Sequence, residues 1–261
     1  MKRSSGARLC ATAAIGALSL SLLTACSDEG SKDTADSKAS SSSSAASSSS
    51  APAAKALTTA ELEKLLLTQA EVKGYKVDSG NDTLPASKAQ VKTDKPACDP
   101  LAWATAALAP GDTDANASNT VSEDKASAAT APEDLADAFD VDMTFVGLSS
   151  YEGDGAEKAM KAVSDGVTAC VGGYGLAADG EKSKVTKVAA EKGATKGDET
   201  VAFTEDVDMD GEGTATFHTV VVRKGNTVAS FYTVNFAAFA KGGDMGAVPA
   251  AVVDAQVAKL K

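Results

Sequence analysis

The chain has 261 residues and a formal charge of -11, from 36 acidic against 25 basic side chains, and only 5% of it is aromatic. Nucleic-acid binding needs a basic stripe to neutralise phosphates, so this acidic balance excludes a nucleic-acid partner. It equally disfavours a polybasic contact with anionic lipid.

The first 25 residues have the layout of a secretory signal. Lys2, Arg3 and Arg8 form a positive n-region, and an Ala/Leu-rich run follows from Ala11 to Leu23. That run is too short for a spanning helix, which needs roughly 20 apolar residues. It ends in Leu23-Thr24-Ala25-Cys26, the pattern of a bacterial lipobox, in which the cysteine accepts diacylglycerol before cleavage. The alternative is an ordinary signal with a chance cysteine near its end. The lipobox reading assigns residues 1–25 to a lipoprotein signal peptide and Cys26 to lipidation. It places the mature protein at the cell membrane, lipid-anchored on the extracellular face, and removal of the three basic residues takes its charge to -14. Two acyl chains suffice for stable anchoring where one does not.

Residues 26–56 are nearly all Ser, Ala, Asp, Lys and Thr, with serine runs at Ser40–Ser44 and Ser47–Ser50. Such a segment buries too little surface to offset its ordering entropy, and the composition predicts a disordered tether with a mean span of roughly 30 Å.

Residues 57–261 are long enough for one domain with a sizeable core. Thr58 and Glu61 fit a capping box flanked by Leu57 and Leu62 at the staple positions, predicting a helix through Leu65, Leu66 and Leu67 to about Ala70. Gly74-Tyr75-Lys76-Val77 starts an extended segment. Asp99 as N-cap and Pro100 at the first helical position predict a second helix, closed by Pro110-Gly111. Residues Asp112 to Glu133, rich in Ala, Asp, Ser and Thr, read as a long surface loop. Val141, Met143 and Phe145 alternate with polar residues as a half-buried strand. Ala156, Ala159, Met160, Val163, Val167 and Cys170 then share one helix face. Short strands are expected at Val185–Ala190 and Thr200–Thr204, and longer ones at Thr214–Arg223 and Thr227–Phe236, joined by a Lys224-Gly225-Asn226 turn. Val252, Val253, Val257 and Leu260 mark a closing helix begun near Pro249. Helices at both ends of an antiparallel meander give an α+β class.

Two of the four cysteines, Cys10 and Cys26, are used by the signal and the anchor. Cys98 and Cys170 remain as an even pair in an oxidising compartment, which predicts a disulfide closing a loop of about 70 residues. A catalytic thiol would need a base, and the chain has one histidine, His218. Two cysteines and one histidine at these spacings do not make a zinc site. Asp206-Val207-Asp208-Met209-Asp210-Gly211 imitates half of a calcium loop, but the twelfth position is Phe217 instead of a bidentate carboxylate, so a turn between strands is the plainer reading. A triad on His218 lacks a serine elbow: Gly147-Leu148-Ser149-Ser150-Tyr151 has no final glycine. Gly172-Gly173-Tyr174-Gly175 is too short for a phosphate loop and reads as a flexible exit from the third helix. Glu152, Asp154 and Glu157 read as a solvated helix start. No catalytic, cofactor-binding or metal-ligating residue is assigned.

Leu65-Leu66-Leu67-Thr68 with Gly74-Tyr75, Lys95-Pro96-Ala97-Cys98-Asp99-Pro100-Leu101, helix-borne Cys170, Gly197-Asp198-Glu199 and Val221-Val222-Arg223-Lys224-Gly225-Asn226-Thr227-Val228 together resemble the extracellular sensor-domain family of the mycobacterial kinase PknH, which includes actinobacterial lipoproteins. The resemblance covers roughly residues 57 to 261. It implies a twisted antiparallel sheet packed with helices, a cleft for an unidentified ligand, and no enzymatic activity. The kinase domain has two disulfides where this chain can form one. The expectation is a monomeric, non-enzymatic surface lipoprotein without cofactors, binding a small ligand or an envelope protein. An envelope hydrolase acting on wall or lipid substrates is the alternative, or a structural protein-interaction module.

Overall fold

The computed structural model describes residues 55–79, 84–125, 140–178, 180–193, 195–211, 213–239 and 241–261. The signal segment, Cys26 and nearly all of the proposed tether lie outside the described residues.

The domain is α+β, built on a ten-stranded, mostly antiparallel sheet in the order β1-β3-β4-β9-β8-β7-β6-β5-β2. The strands are β1 (Tyr75–Asp78), β2 (Val91–Thr93), β3 (Asn116–Glu123), β4 (Asp142–Ser150), β5 (Tyr174–Ala178), β6 (Glu181–Glu191), β7 (Glu199–Asp208), β8 (Thr214–Lys224), β9 (Thr227–Asn235) and β10 (Gly243–Asp244). The parallel exception is β10, which pairs with Ala215 and Thr216 of β8 below the last β9 partner, Thr219. Among the described residues five α-helices accompany the sheet: α1 (Thr59–Glu63), α2 (Asp99–Ala104), α3 (Gly155–Ala169), α4 (Phe236–Phe239) and α5 (Ala250–Lys259).

The sheet is covered on both faces, so it has two cores. On one face α2 and α3 bury Leu101, Met160 and Val163 against Phe203, Val221 and Val228. On the other α1 and α5 bury Leu62 and Val252 against Val146, Leu148 and Phe231. The helix face expected from Ala156 to Cys170 is the buried one. Cys98 and Cys170 form a disulfide, both fully buried, which ties the start of α2 to the end of α3.

Several expected elements change in extent. The capping box is present: Thr58 Oγ1 accepts from Glu61 N–H, and Glu61 Oε2 accepts from Thr58 N–H at 2.8 Å. The helix nonetheless ends at Glu63 instead of Ala70, because the backbone beyond it is taken by side chains from elsewhere. Leu67 N–H donates to Gln256 Oε1, Leu67 C=O accepts from Asn119 Nδ2, and Leu65 C=O accepts from Gln256 Nε2, at 3.1, 2.9 and 2.8 Å. The second helix also stops early, at Ala104. Its N-cap is Cys98, and Asp99 instead accepts from Thr93 Oγ1 at 2.7 Å.

The largest correction is β3, which runs through the expected Asp112–Glu133 loop, paired with β4 along Asn116–Ser122 and with β1 along Thr120–Glu123. Its small polar residues carry no hydrophobic alternation, and the pairing is supplied by neighbours that do. The Gly172–Gly175 exit is likewise ordered: Gly175 pairs within β5. At Gly173 (φ 74°) a Cβ would meet Val185 C=O at 2.1 Å, so only glycine fits.

Candidate functional site

The segment after α2 turns back onto the sheet through Ala107, a non-glycine residue at φ 54°. Its carbonyl lies so close to the strand that a Cβ on Gly147 would meet it at 2.4 Å. A left-handed alanine stores about 1 kcal/mol of strain. The close approach and the Asn116 Nδ2 donor, 3.4 Å from Ala107 C=O, hold it in place. This strained segment forms one wall of a cleft of about 1090 Å³. The opposite walls come from the chain following α1 and from residues 84–89, and the first half of β3 forms the floor. That volume lies just above the usual range of ligand pockets, roughly 300–1,000 Å³.

The lining is aliphatic and small on one side, with Leu66, Leu67, Leu84 and Leu108 among several alanines and no aromatic ring among the described lining residues. Asn116 and Asn119 give the floor its polarity. Asn119 is 1% exposed, and its Nδ2 is used by Leu67 C=O. The Oδ1 atoms of both asparagines are buried without a hydrogen-bond partner among the described residues. Each such atom costs about 1–3 kcal/mol.

The charged residues among the described lining are one ammonium and two carboxylates, net negative. Among the described lining residues the single cation is Lys88. Its ammonium donates to Gly111 C=O and lies 4.8 Å from the centroid of the Trp103 ring. Burial pushes the Lys88 pKa down, opposed by the nearby Asp112 and Asp114 carboxylates. Glu63 and Asp114 supply carboxylates to the rim.

The other sequence candidates lie elsewhere. His218, on β8, has its Nδ1 3.1 Å from both Glu191 carboxylate oxygens and its Nε2 3.1 Å from Asp244 Oδ1. Both ring nitrogens are therefore occupied by acids from β6 and β10, which leaves no nitrogen facing a serine or thiol. The two carboxylates sit on opposite sides of the ring, so the three groups do not share one metal position, and among the described residues no cluster of His, Cys, Asp and Glu suits a metal ion. The Asp206–Gly211 run is the end of β7 and its turn. Asp208 Oδ1 accepts from Gly211 N–H, and Asp206 Oδ1 accepts from Thr216 Oγ1, at 3.2 and 2.8 Å. Asp154 pairs with Lys158 one turn along α3, at 2.8 Å and well exposed. Ser149 is buried on β4, with its Oγ 3.2 Å from Tyr151 Oη.

One buried polar cluster escaped the sequence reading. Glu205 is 2% exposed and accepts from Tyr174 Oη at 2.5 Å and Thr105 Oγ1 at 2.7 Å, and Thr105 Oγ1 lies 3.0 Å from Thr219 Oγ1. Burial raises the Glu205 pKa against the pull of those two donors, and burial followed by the neighbouring Glu205 charge raises that of Tyr174 well above the usual phenol value. The cleft asparagines were missed for the same reason as β3, in a stretch whose composition reads as loop.

No protein family and no curated protein matches the chain. Among solved structures it is similar to the extracellular domain of PknH from Mycobacterium tuberculosis, at 12% identity and a TM-score of 0.46, over 78% of this chain and 95% of that one.

Proposed function

We propose that the chain is a cell-surface lipoprotein whose single domain, residues 57–261, binds a small ligand without catalysis. The cleft between α1, residues 84–89 and β3 carries this reading. It is large and aliphatic, and its floor holds two amide oxygens that have no hydrogen-bond partner among the described residues. Unmet buried acceptors are rare in folded proteins and mark places where a further group completes the hydrogen bonding. The lipobox at Cys26 supplies the address, and the 26–56 segment holds the domain clear of the membrane. A hydrolase would need a nucleophile beside a free base, and the one histidine of the chain has both nitrogens against carboxylates.

Native mass spectrometry of the chain after exposure to an envelope lipid extract tests the reading. A retained small-molecule mass is expected in the wild type and lost in Ala86→Phe, which fills the cleft from an exposed position. Retention unchanged by Ala86→Phe would place binding elsewhere. Intact mass of the membrane-extracted protein tests the anchor, through a diacylglyceryl adduct on a chain starting at Cys26.

A protein partner is the second reading, favoured by Phe236 and Phe239 on α4, which are 52% and 40% exposed. Phe239 packs edge-on against Phe217, with centroids 6.4 Å apart. An exposed aromatic pair of this kind is a common docking feature. Loss of a co-purifying envelope protein in Phe236→Ser with Phe239→Ser would favour this surface over the cleft.

A further inference from the structure

The chemistry of the cleft wall narrows the ligand beyond its size. The one cation that an anionic head would meet among the described lining residues, the Lys88 ammonium, already commits one of its three N–H donors to Gly111 C=O, lies over the Trp103 face, and is outnumbered by two carboxylates. Glu63 and Asp114 would repel that head further. A bare hydrocarbon would suit Leu66, Leu67, Leu84 and Leu108 but leave the Asn116 and Asn119 amide oxygens unmet. A carbonyl or ether head, which only accepts, would do the same. What completes the site is a donor.

We infer that the cleft takes an uncharged amphiphile, an aliphatic chain headed by hydroxyl or amide N–H groups, and that Asn116 and Asn119 read its head. This rests on the cleft being the binding site. The two residues stand three positions apart on β3, on opposite faces of the strand, so one ligand meets both by lying across the side of residues 116–119 that β1, paired only with Thr120–Glu123, leaves open. Asn119 is held firmly by its 2.9 Å bond to Leu67 C=O, whereas Asn116 is held only by the 3.4 Å contact to Ala107 C=O. The broad χ2 well of asparagine lets the Asn116 oxygen swing toward an incoming donor. Strain at Ala107, against which Asn116 rests, belongs to the same wall.

The test uses three soluble probes that share an eight-carbon chain: 1-monooctanoylglycerol, octanoate and methyl octanoate. The first is neutral with two hydroxyl donors, the second anionic, and the third neutral without a donor. Isothermal titration of the full chain, blanked against its carrier without protein, is expected to show the glycerol ester binding roughly tenfold or more tightly than either comparison probe. Asn116→Ala is expected to reduce that preference severalfold toward the methyl ester. The wild-type comparison stands if the variant fails to fold.

Equal affinity for all three, or tighter binding of octanoate, overturns the inference while leaving the cleft in place. Absence of heat from all three also overturns it. The cleft reading itself is decided separately, by whether Ala86→Phe abolishes retention of an extract component.

Discussion

Glu205 is the clearest case of one residue whose chemistry is set by its surroundings. It lies on β7 beneath α2, 2% exposed, and its two oxygens are met by Tyr174 and Thr105 hydroxyls, with no cation bonded to it among the described residues. Desolvation disfavours the charged form more than two neutral donors favour it, so the folded pKa stands above the ordinary 4.5. A raised folded pKa means that the folded state holds its proton longer. The stabilising contribution is fully present below the unfolded value near pH 4.5 and is lost as pH rises through the folded value. Glu205→Gln should remove this dependence: its carboxamide oxygen still accepts from Tyr174, and its NH₂ donates to Thr105, whose proton turns to Thr219. Urea titrations at pH 4 and pH 7 are expected to show the variant gaining on the wild type as pH rises, by about 1 kcal/mol or more. A constant difference across that range would mean that the wild-type carboxylate ionises without penalty.

At the scale of elements, the sheet's two ends are closed by side chains. Two outward backbone groups of β1 are met by one amide: Gln69 Nε2 donates to Tyr75 C=O at 3.0 Å, and Gln69 Oε1 accepts from Val77 N–H at 2.9 Å. On β2 at the other end, Val91 C=O accepts from Trp103 Nε1, and Thr93 N–H donates to Asp99 Oδ1, both at 3.3 Å. Open edges recruit other strands, and these four bonds occupy groups that would do so. The expected state is therefore a monomer. Gln69→Ala should expose the β1 edge and produce concentration-dependent association, measured by sedimentation velocity. A variant that stays monomeric into the hundred-micromolar range, roughly, would show that the amide is not the guard.

Elements also explain where sequence patterns were legible. The capping box at Thr58 and Glu61 was readable because it is a local exchange of two hydrogen bonds. The length of α1 was not, because Gln256 and Asn119 take the backbone groups that would continue it. The α3 face and the β8–β9 hairpin were readable because strong apolar periodicity and turn chemistry agree with the final packing. β3 was not, because Asn116, Ser118 and Asn119 have weak strand preference and are held in the sheet by β1 and β4. Both cleft asparagines lie in that strand, so the candidate site shared its obscurity.

For the whole molecule, the disulfide bears most on stability. Cys98 and Cys170 are separated by 72 positions, and closing a loop of that length restricts the unfolded chain by about 4 kcal/mol. Cys98→Ser should lower the melting temperature by roughly 10 °C under oxidising conditions. Scanning calorimetry of variant and wild type with and without reductant checks this. Equal melting temperatures under oxidising conditions would contradict a stabilising bridge.

Composition alone determined the acidic character of the chain, and local patterns determined the first cap, the α3 stripe, the β8–β9 hairpin and the pairing of the last two cysteines. These depend on neighbours in sequence or on residue supply, which a linear reading contains. Tertiary structure alone decided that β3 is a strand, that α1 stops at Glu63, that His218 is shut between two acids and Glu205 is buried, and that two asparagine oxygens lie unmet at a cleft. Each of those outcomes depends on which distant group arrives to complete or withhold a hydrogen bond, and only the folded chain brings such groups together.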